Sequence, residues 1–185
     1  AGGTHHAFSD RGEAFCLLND QAIAAQYLIN QKKCHKILIV DLDVHQGNGT
    51  AEIFQNNADV ITFSMHGQSN YPFRKETSDY DIALPDKTDD TTYLSILQET
   101  LPELLNIHRP DFVFYLAGVD ILGTDKLGKL GCTLEGCKAR DSYVLGLCKS
   151  LGIPVQVSMG GGYSPAIKTI IEAHANTYRV ARALY

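Results

Sequence analysis

The order of apolar and amphipathic segments predicts an α/β fold, a parallel sheet with helices on both faces. Three observations carry this. Runs rich in β-branched and aromatic residues at 37–40, 60–64, 111–117 and 153–158 alternate with segments of helical spacing, as crossover connections require. The first run, Ile37-Leu-Ile-Val40, is apolar without alternation, which marks a strand covered on both faces. Polar or glycine-rich residues stand at the exits of the runs, where ligands bind in such sheets.

Taken in order, residues 2–6 (Gly-Gly-Thr-His-His) form a loop, followed by Ser9-Asp10-Arg11-Gly12 and Phe15-Cys16. A helix is expected over 18–30, with Ala22, Ile23, Ala25, Leu28 and Ile29 as its apolar stripe. The strand 37–40 leads into a polar loop, 41–50, and a short helix, 50–57. Strand 60–64 ends at Met65-His66. Residues 67–90 read as a long polar loop holding one extended piece at 82–84, and loops of that length are functional or mobile. A helix over 91–108 runs through Tyr93, Leu97, Leu101 and Leu105, with Pro102 as a kink point and Pro110 as terminator. Strand 111–117 opens onto Gly118-Val-Asp120 and Asp125-Lys-Leu-Gly128; a helix over 134–150 is closed by Gly152. Strand 153–158 opens onto Gly160-Gly161-Gly162-Tyr163, and a last helical stretch over 165–185 is expected to break near Asn176.

The 185 residues suffice for one domain with a substantial core, and 44% hydrophobic with 20% charged is ordinary for a globular chain. A net charge of −5 disfavours direct nucleic-acid binding. No apolar run approaches the ~20 residues of a membrane span. Five cysteines without a C-x-x-C pair suggest neither a disulfide framework nor a zinc knuckle and point to a reducing, cytoplasmic setting. The oligomeric state has no signature in the sequence.

The stretch Asp41-Leu-Asp43-Val-His45-Gln-Gly47-Asn48-Gly49-Thr50 concentrates the chemistry. Asp43 and His45 are two residues apart, so an extended backbone aims both at one ion. Asp41 has the same parity but lies deeper, where a carboxylate needs a partner. With Asp120 from another strand exit, two carboxylates and an imidazole form a three-ligand set with an open position, as a catalytic zinc keeps; the same set also accepts Fe2+ or Co2+. A bound divalent ion lowers the pKa of water and polarises a carbonyl. His5 and His6 are then candidates for proton transfer near neutral pH, with Asp41 and Asn48 as their partners, one charged and one neutral. Tyr163, on a glycine-rich turn, suits donation to a developing oxyanion. The plainer reading makes strand-end Asp and His caps or turn formers and tandem histidines solvated. His35, His108 and His174 are expected at the surface or in caps.

These motifs resemble the zinc-dependent histone deacetylase family of the arginase/deacetylase fold. Gly3-Thr-His5-His6-Ala7, Phe15-Cys16-Leu-Leu-Asn19-Asp20, residues 41–50, Gly118-Val-Asp120 with Asp125-Lys-Leu-Gly128, and Gly161-Gly162-Tyr163 follow the family's order across nearly the whole chain. Asp10-Arg11-Gly12 looks most like the class IV branch and its bacterial relatives. The resemblance implies a three-layer α/β/α fold and hydrolysis of acyl groups from lysine side chains of proteins or peptides. It assigns Asp43, His45 and Asp120 to zinc, His6 to the general base and acid, His5 to electrostatic support, and Tyr163 to the oxyanion. It implies a structural potassium held by Asp41, Asp43, His45, Ser64 and Met65, and a second monovalent cation near Phe54, Asn57 and Val60. Phe15, Ala14, Tyr71, Gly161 and Gly162 correspond to the acyl-lysine tunnel. Ala14 departs from the family's usual glycine, and the region that family members carry before the tandem histidines is absent, so residues 1–185 are expected to be one partial catalytic domain. A small-molecule amidohydrolase acting on acetylpolyamines would use the same residues. A catalytically inactive metal-binding interaction module is the reading from another class.

Overall fold

The computed structural model describes residues 2–185. The elements run α1 (Asp20–Asn30), β1 (Ile37–Asp41), α2 (Asn48–Phe54), β2 (Val60–Gly67), β3 (Tyr80–Leu84), α3 (Asp90–His108), β4 (Phe112–Leu116), α4 (Leu134–Ser150), β5 (Val155–Ser158) and α5 (Ile167–Leu184). The sheet order is β3-β2-β1-β4-β5, and every paired neighbour is parallel. β1 lies at the centre and is buried along its whole length, as its unbroken apolar run requires.

Alternate residues of β1 feed two cores, because side chains leave a strand on opposite faces. Leu38 and Val40 join Phe63, Val113 and Tyr115 beneath α3, α4 and α5, while Ile37 and Ile39 join Phe114, Ala22, Ala25 and Phe54 on the side of α1 and α2. Each fully buried Ile or Leu contributes ~1.5–3 kcal/mol. Three helices begin on side-chain caps: Asn19 accepts from Ala22 N, Asp89 from Thr92 N and Thr133 from Gly136 N. Each such cap is worth ~1 kcal/mol. Pro102 does not end α3. Its missing N–H leaves the carbonyl of Gln98 free, and the Tyr143 hydroxyl of α4 donates to that oxygen at 3.4 Å.

Four expectations need correction. α1 starts at Asp20, since Asn19 is spent as its cap. α2 starts at Asn48, so the end of the expected 41–50 loop is helical and buried. The extended piece expected at 82–84 is the second half of an edge strand, 80–84, whose Asp81 and Ala83 face solvent. α5 continues through Asn176, a buried residue whose side chain accepts from Arg179 Nη1 at 2.7 Å. The segment before β3 is pinned: Gln46 donates to Glu76 O and Asp81 Oδ1 at 2.7 and 2.9 Å, and accepts from Glu76 N at 2.9 Å.

Candidate active site

The carboxyl ends of β1 and β4 and the turn after β5 converge on a cavity of about 500 Å³. His5, His6, Phe15, Tyr71, Asp120 and Tyr163 are among its walls, with Asp43, His45, Ala14 and Gly161. Sequence positions from six separate segments therefore meet in one place. The loop carrying the tandem histidines is tied down at both ends. Asp20 accepts from Thr4 N at 2.8 Å and Gly3 N at 2.9 Å, and Thr50 N donates to His5 O at 3.1 Å.

His45 N and His45 Nδ1 both lie 3.0 Å from Asp43 Oδ1, Gly161 N donates to Asp43 Oδ2 at 2.7 Å, and Val44 N donates to Asp120 Oδ1 at 3.0 Å. Asp120 Oδ2 is 3.2 Å from His45 Nδ1 without hydrogen-bond geometry, and no donor among the described residues satisfies this buried oxygen. Asp43, His45 and Asp120 can each offer one ligand atom, all within 4.8 Å of one another. An orphaned carboxylate oxygen beside two more donors fits a divalent cation, because a buried acceptor otherwise costs ~1–3 kcal/mol. The close backbone approach explains Gly161, where a Cβ would stand 2.0 Å from Asp120 Oδ2.

The electrostatics follow from crowding charge in a buried place. Burial pulls His45 down, but the Asp120 and Asp43 carboxylates outweigh it and raise it to about 10, so its proton supplies the positive charge a cation would bring. Burial lifts Asp120, and the neighbouring Asp43 adds to it, reaching about 7. Burial would also lift Asp43, yet the charges of His5 and His45 hold it well below the usual carboxylate range.

The two tandem histidines differ. His5 Nδ1 lies 2.7 Å from Asp41 Oδ2; burial opposes its charge, but Asp41 and Asp43 raise it to about 9. His6 Nδ1 lies 2.7 Å from Asn48 Oδ1, a neutral partner; burial and the adjacent His5 charge lower it to about 3. One imidazole is thus held as a cation and the other as a neutral base. Tyr163 is raised to about 12 by burial and by Asp43 and Asp120, which keeps its hydroxyl a donor at neutral pH. Its backbone is fixed by Tyr163 N donating to Asp125 Oδ2 at 2.6 Å.

The other expected residues take the following places. Gly162 does not reach the cavity wall; a Cβ there would meet Val119, Ile170 and His174. Ser64 lies opposite Asp41 in the β1–β2 register, and its hydroxyl pairs with His66 Nδ1 at 3.0 Å, while Met65 is buried in the core. His174 is buried rather than at the surface; His35 is exposed, and His108 lies 2.8 Å from the Tyr80 hydroxyl.

Two contributors escaped the sequence reading. Arg140 of α4 is fully buried and donates to the carbonyls of Leu42 and Gly118 at 3.2 and 2.6 Å, just ahead of Asp43 and Asp120. Its charge is met by Asp141, which also accepts from the hydroxyls of Tyr115 and Thr177 at 2.5 and 2.6 Å. Glu13 accepts from Asn48 Nδ2 at 2.7 Å and from the Tyr71 hydroxyl at 2.6 Å. A mid-helix arginine and a loop glutamate carry no local signal of these long-range contacts.

Comparison with known proteins agrees with this geometry. An uncharacterised protein of Picosynechococcus sp. is 49% identical over 185 residues, covering all of this chain and 62% of that protein. Histone deacetylase 2 of Arabidopsis thaliana is 30% identical over 173 residues, covering 92% of this chain and 45% of that protein. The chain therefore spans about three fifths or less of the length of these relatives. The crystal structure of an acetylpolyamine aminohydrolase from Burkholderia pseudomallei superimposes with a TM-score of 0.81 at 27% identity, covering 97% of this chain and 54% of that one. The histone deacetylase domain family matches residues 1–178, and the chain belongs to that family.

Proposed function

We propose that the chain is the partial catalytic domain of a zinc-dependent hydrolase that removes acetyl or other acyl groups from lysine side chains of proteins or peptides. The observation that carries this reading is the pairing in one cavity of a buried Asp43–His45–Asp120 set with a neutral His6 and a protonated Tyr163. Asp43, His45 and Asp120 would hold the metal, which when bound lowers the pKa of water towards ~7 and polarises the amide carbonyl. His6 takes the proton of the attacking water through Nε2, since Nδ1 faces Asn48, and returns it to the leaving amine. Tyr163 donates its hydroxyl to the oxyanion. His5, charged and paired with Asp41, supports the negative charge that develops nearby. Phe15 and Tyr71 stand on the cavity walls, where an alkyl chain would pass.

The same reading places a structural potassium beside Asp41 and Ser64, which face each other in the register, with Asp43, His45 and Met65 adding oxygen atoms. The free state of all five cysteines supports a cytoplasmic setting. Hydrolysis of acetylated polyamines, a small-molecule amidohydrolase activity, is the alternative reading, favoured by the likeness to the Burkholderia enzyme. Hydrolysis of an acetyl-lysine peptide, a myristoyl-lysine peptide and acetylspermidine by the intact parent protein, reconstituted with zinc after chelation, tests the reading. Tyr163→Phe should lower kcat by ~10²–10³. The preferred substrate decides between the two; zinc-loaded protein inert on all three sinks the enzyme reading and leaves the binding module.

A further inference from the structure

We infer that Glu13 is a positioning residue that sets the tautomer of His6 by acting through Asn48. The inference rests on the proposed role of His6 and deepens it. The reasoning follows from donor and acceptor inventories. An ionised carboxylate only accepts hydrogen bonds. Glu13 is held below its usual carboxylate range, first by the bond from Tyr71 and further by Asn48 and Arg11, so it stays ionised at neutral pH. The Asn48 side chain can therefore meet Glu13 Oε1 only through Nδ2, at 2.7 Å, and this turns its oxygen towards His6 Nδ1, also at 2.7 Å. A carbonyl oxygen requires a donor, so the His6 proton resides on Nδ1. Nε2 is left with its lone pair free.

The arrangement is built rather than incidental. Glu13 and Cys16 exchange two backbone hydrogen bonds of 2.9 Å around a tight turn, with Ala14 in the left-handed region at φ 51°. This turn aims the Glu13 side chain at the active site. Asn48 is buried, and the second oxygen of Glu13 is left to Arg11 Nε at 3.7 Å. The Tyr71 hydroxyl shares Oε1 at 2.6 Å, and the Tyr71 ring meets that of His6 edge-on at 5.0 Å between centroids. The cavity wall and the base are thus fixed by one carboxylate.

The test is 15N NMR of the histidine side chains in metal-free protein, with the His6 signals assigned by their loss in His6→Gln. Unsubstituted protein should show His6 protonated on Nδ1 alone. Glu13→Ala should give a mixture of tautomers and, in the zinc-loaded protein, a fall in kcat of about tenfold with little change in KM. Glu13→Gln, whose carbonyl still accepts from Asn48 and Tyr71, should restore most of both. A His6 tautomer unchanged in Glu13→Ala would overturn the inference, as would an equal loss in Glu13→Gln and Glu13→Ala. Because the tautomer is read without metal or turnover, an inactive parent protein would remove the proposed function while leaving this comparison decisive.

Discussion

The floor of the cavity and its far wall solve the same problem, holding polar groups in place, by different means. On the floor, Asp41, Asp43 and Asp120 are buried, and each is matched by an imidazole, a backbone N–H or the proposed cation. Behind it Arg140 and Asp141 form a fully buried pair that also takes the carbonyls of Leu42 and Gly118. On the wall, Glu13 is partly exposed and connects Tyr71, Asn48 and His6 through short hydrogen bonds. Solvent can replace a lost partner on the wall but not on the floor. Effects of mutation should therefore be large and structural on the floor, small and chemical on the wall.

The largest effects should come from the floor. Asp120→Ala should abolish zinc retention after dialysis, measured by metal analysis, since it removes the proposed ligand oxygen that lacks a hydrogen-bond partner among the described residues. Arg140→Met should cost ~3–5 kcal/mol in urea unfolding, because Asp141 is left as a buried charge without its counterion. Tyr71→Phe on the wall should cost no more than about 1 kcal/mol in the same experiment, the net value of a hydrogen bond with access to water.

An intermediate effect concerns pH. Burial and the nearby Arg140 charge lower the pKa of His174, so the unfolded chain binds its proton first as pH falls. This contribution to stability is complete above the unfolded value of ~6.5 and declines as pH falls below it towards the folded pKa. His6 has the same sign. His174→Gln should reduce the loss of urea midpoint on acidification below ~6.5 without abolishing it. The smallest effect is expected at Ala14, whose left-handed φ of 51° costs a Cβ-bearing residue ~1–2 kcal/mol, offset by the greater chain entropy of glycine. Ala14→Gly should raise stability by about 0.5 kcal/mol by thermal denaturation.

The same division governs what the sequence discloses. The central strand was legible because burial on both faces forces an unbroken apolar run, and α4 because its helical spacing runs up to a closing glycine, Gly152, at φ 68°. Only the 82–84 half of the edge strand β3 was legible, since Asp81 and Ala83 lie on a solvated side and the residues before Tyr80 are polar turn formers. The start of α2 was missed because Asn48 and Gly49 are poor helix formers, placed there by packing: a Cβ on Gly49 would lie 2.2 Å from Ala7 O. Ligand-type residues at strand exits announce themselves by their cost in such places. Glu13 and Arg140 do not, because each looks ordinary beside its neighbours in sequence and gains its meaning from partners far along the chain.

The most direct test of the metal site is the zinc K-edge absorption spectrum of the loaded protein beside that of His45→Ala. The site described predicts a first shell of nitrogen and oxygen at ~2.0–2.2 Å without sulfur, and loss of bound zinc in the variant. A sulfur shell near ~2.3 Å, or zinc retained unchanged without His45, would contradict it.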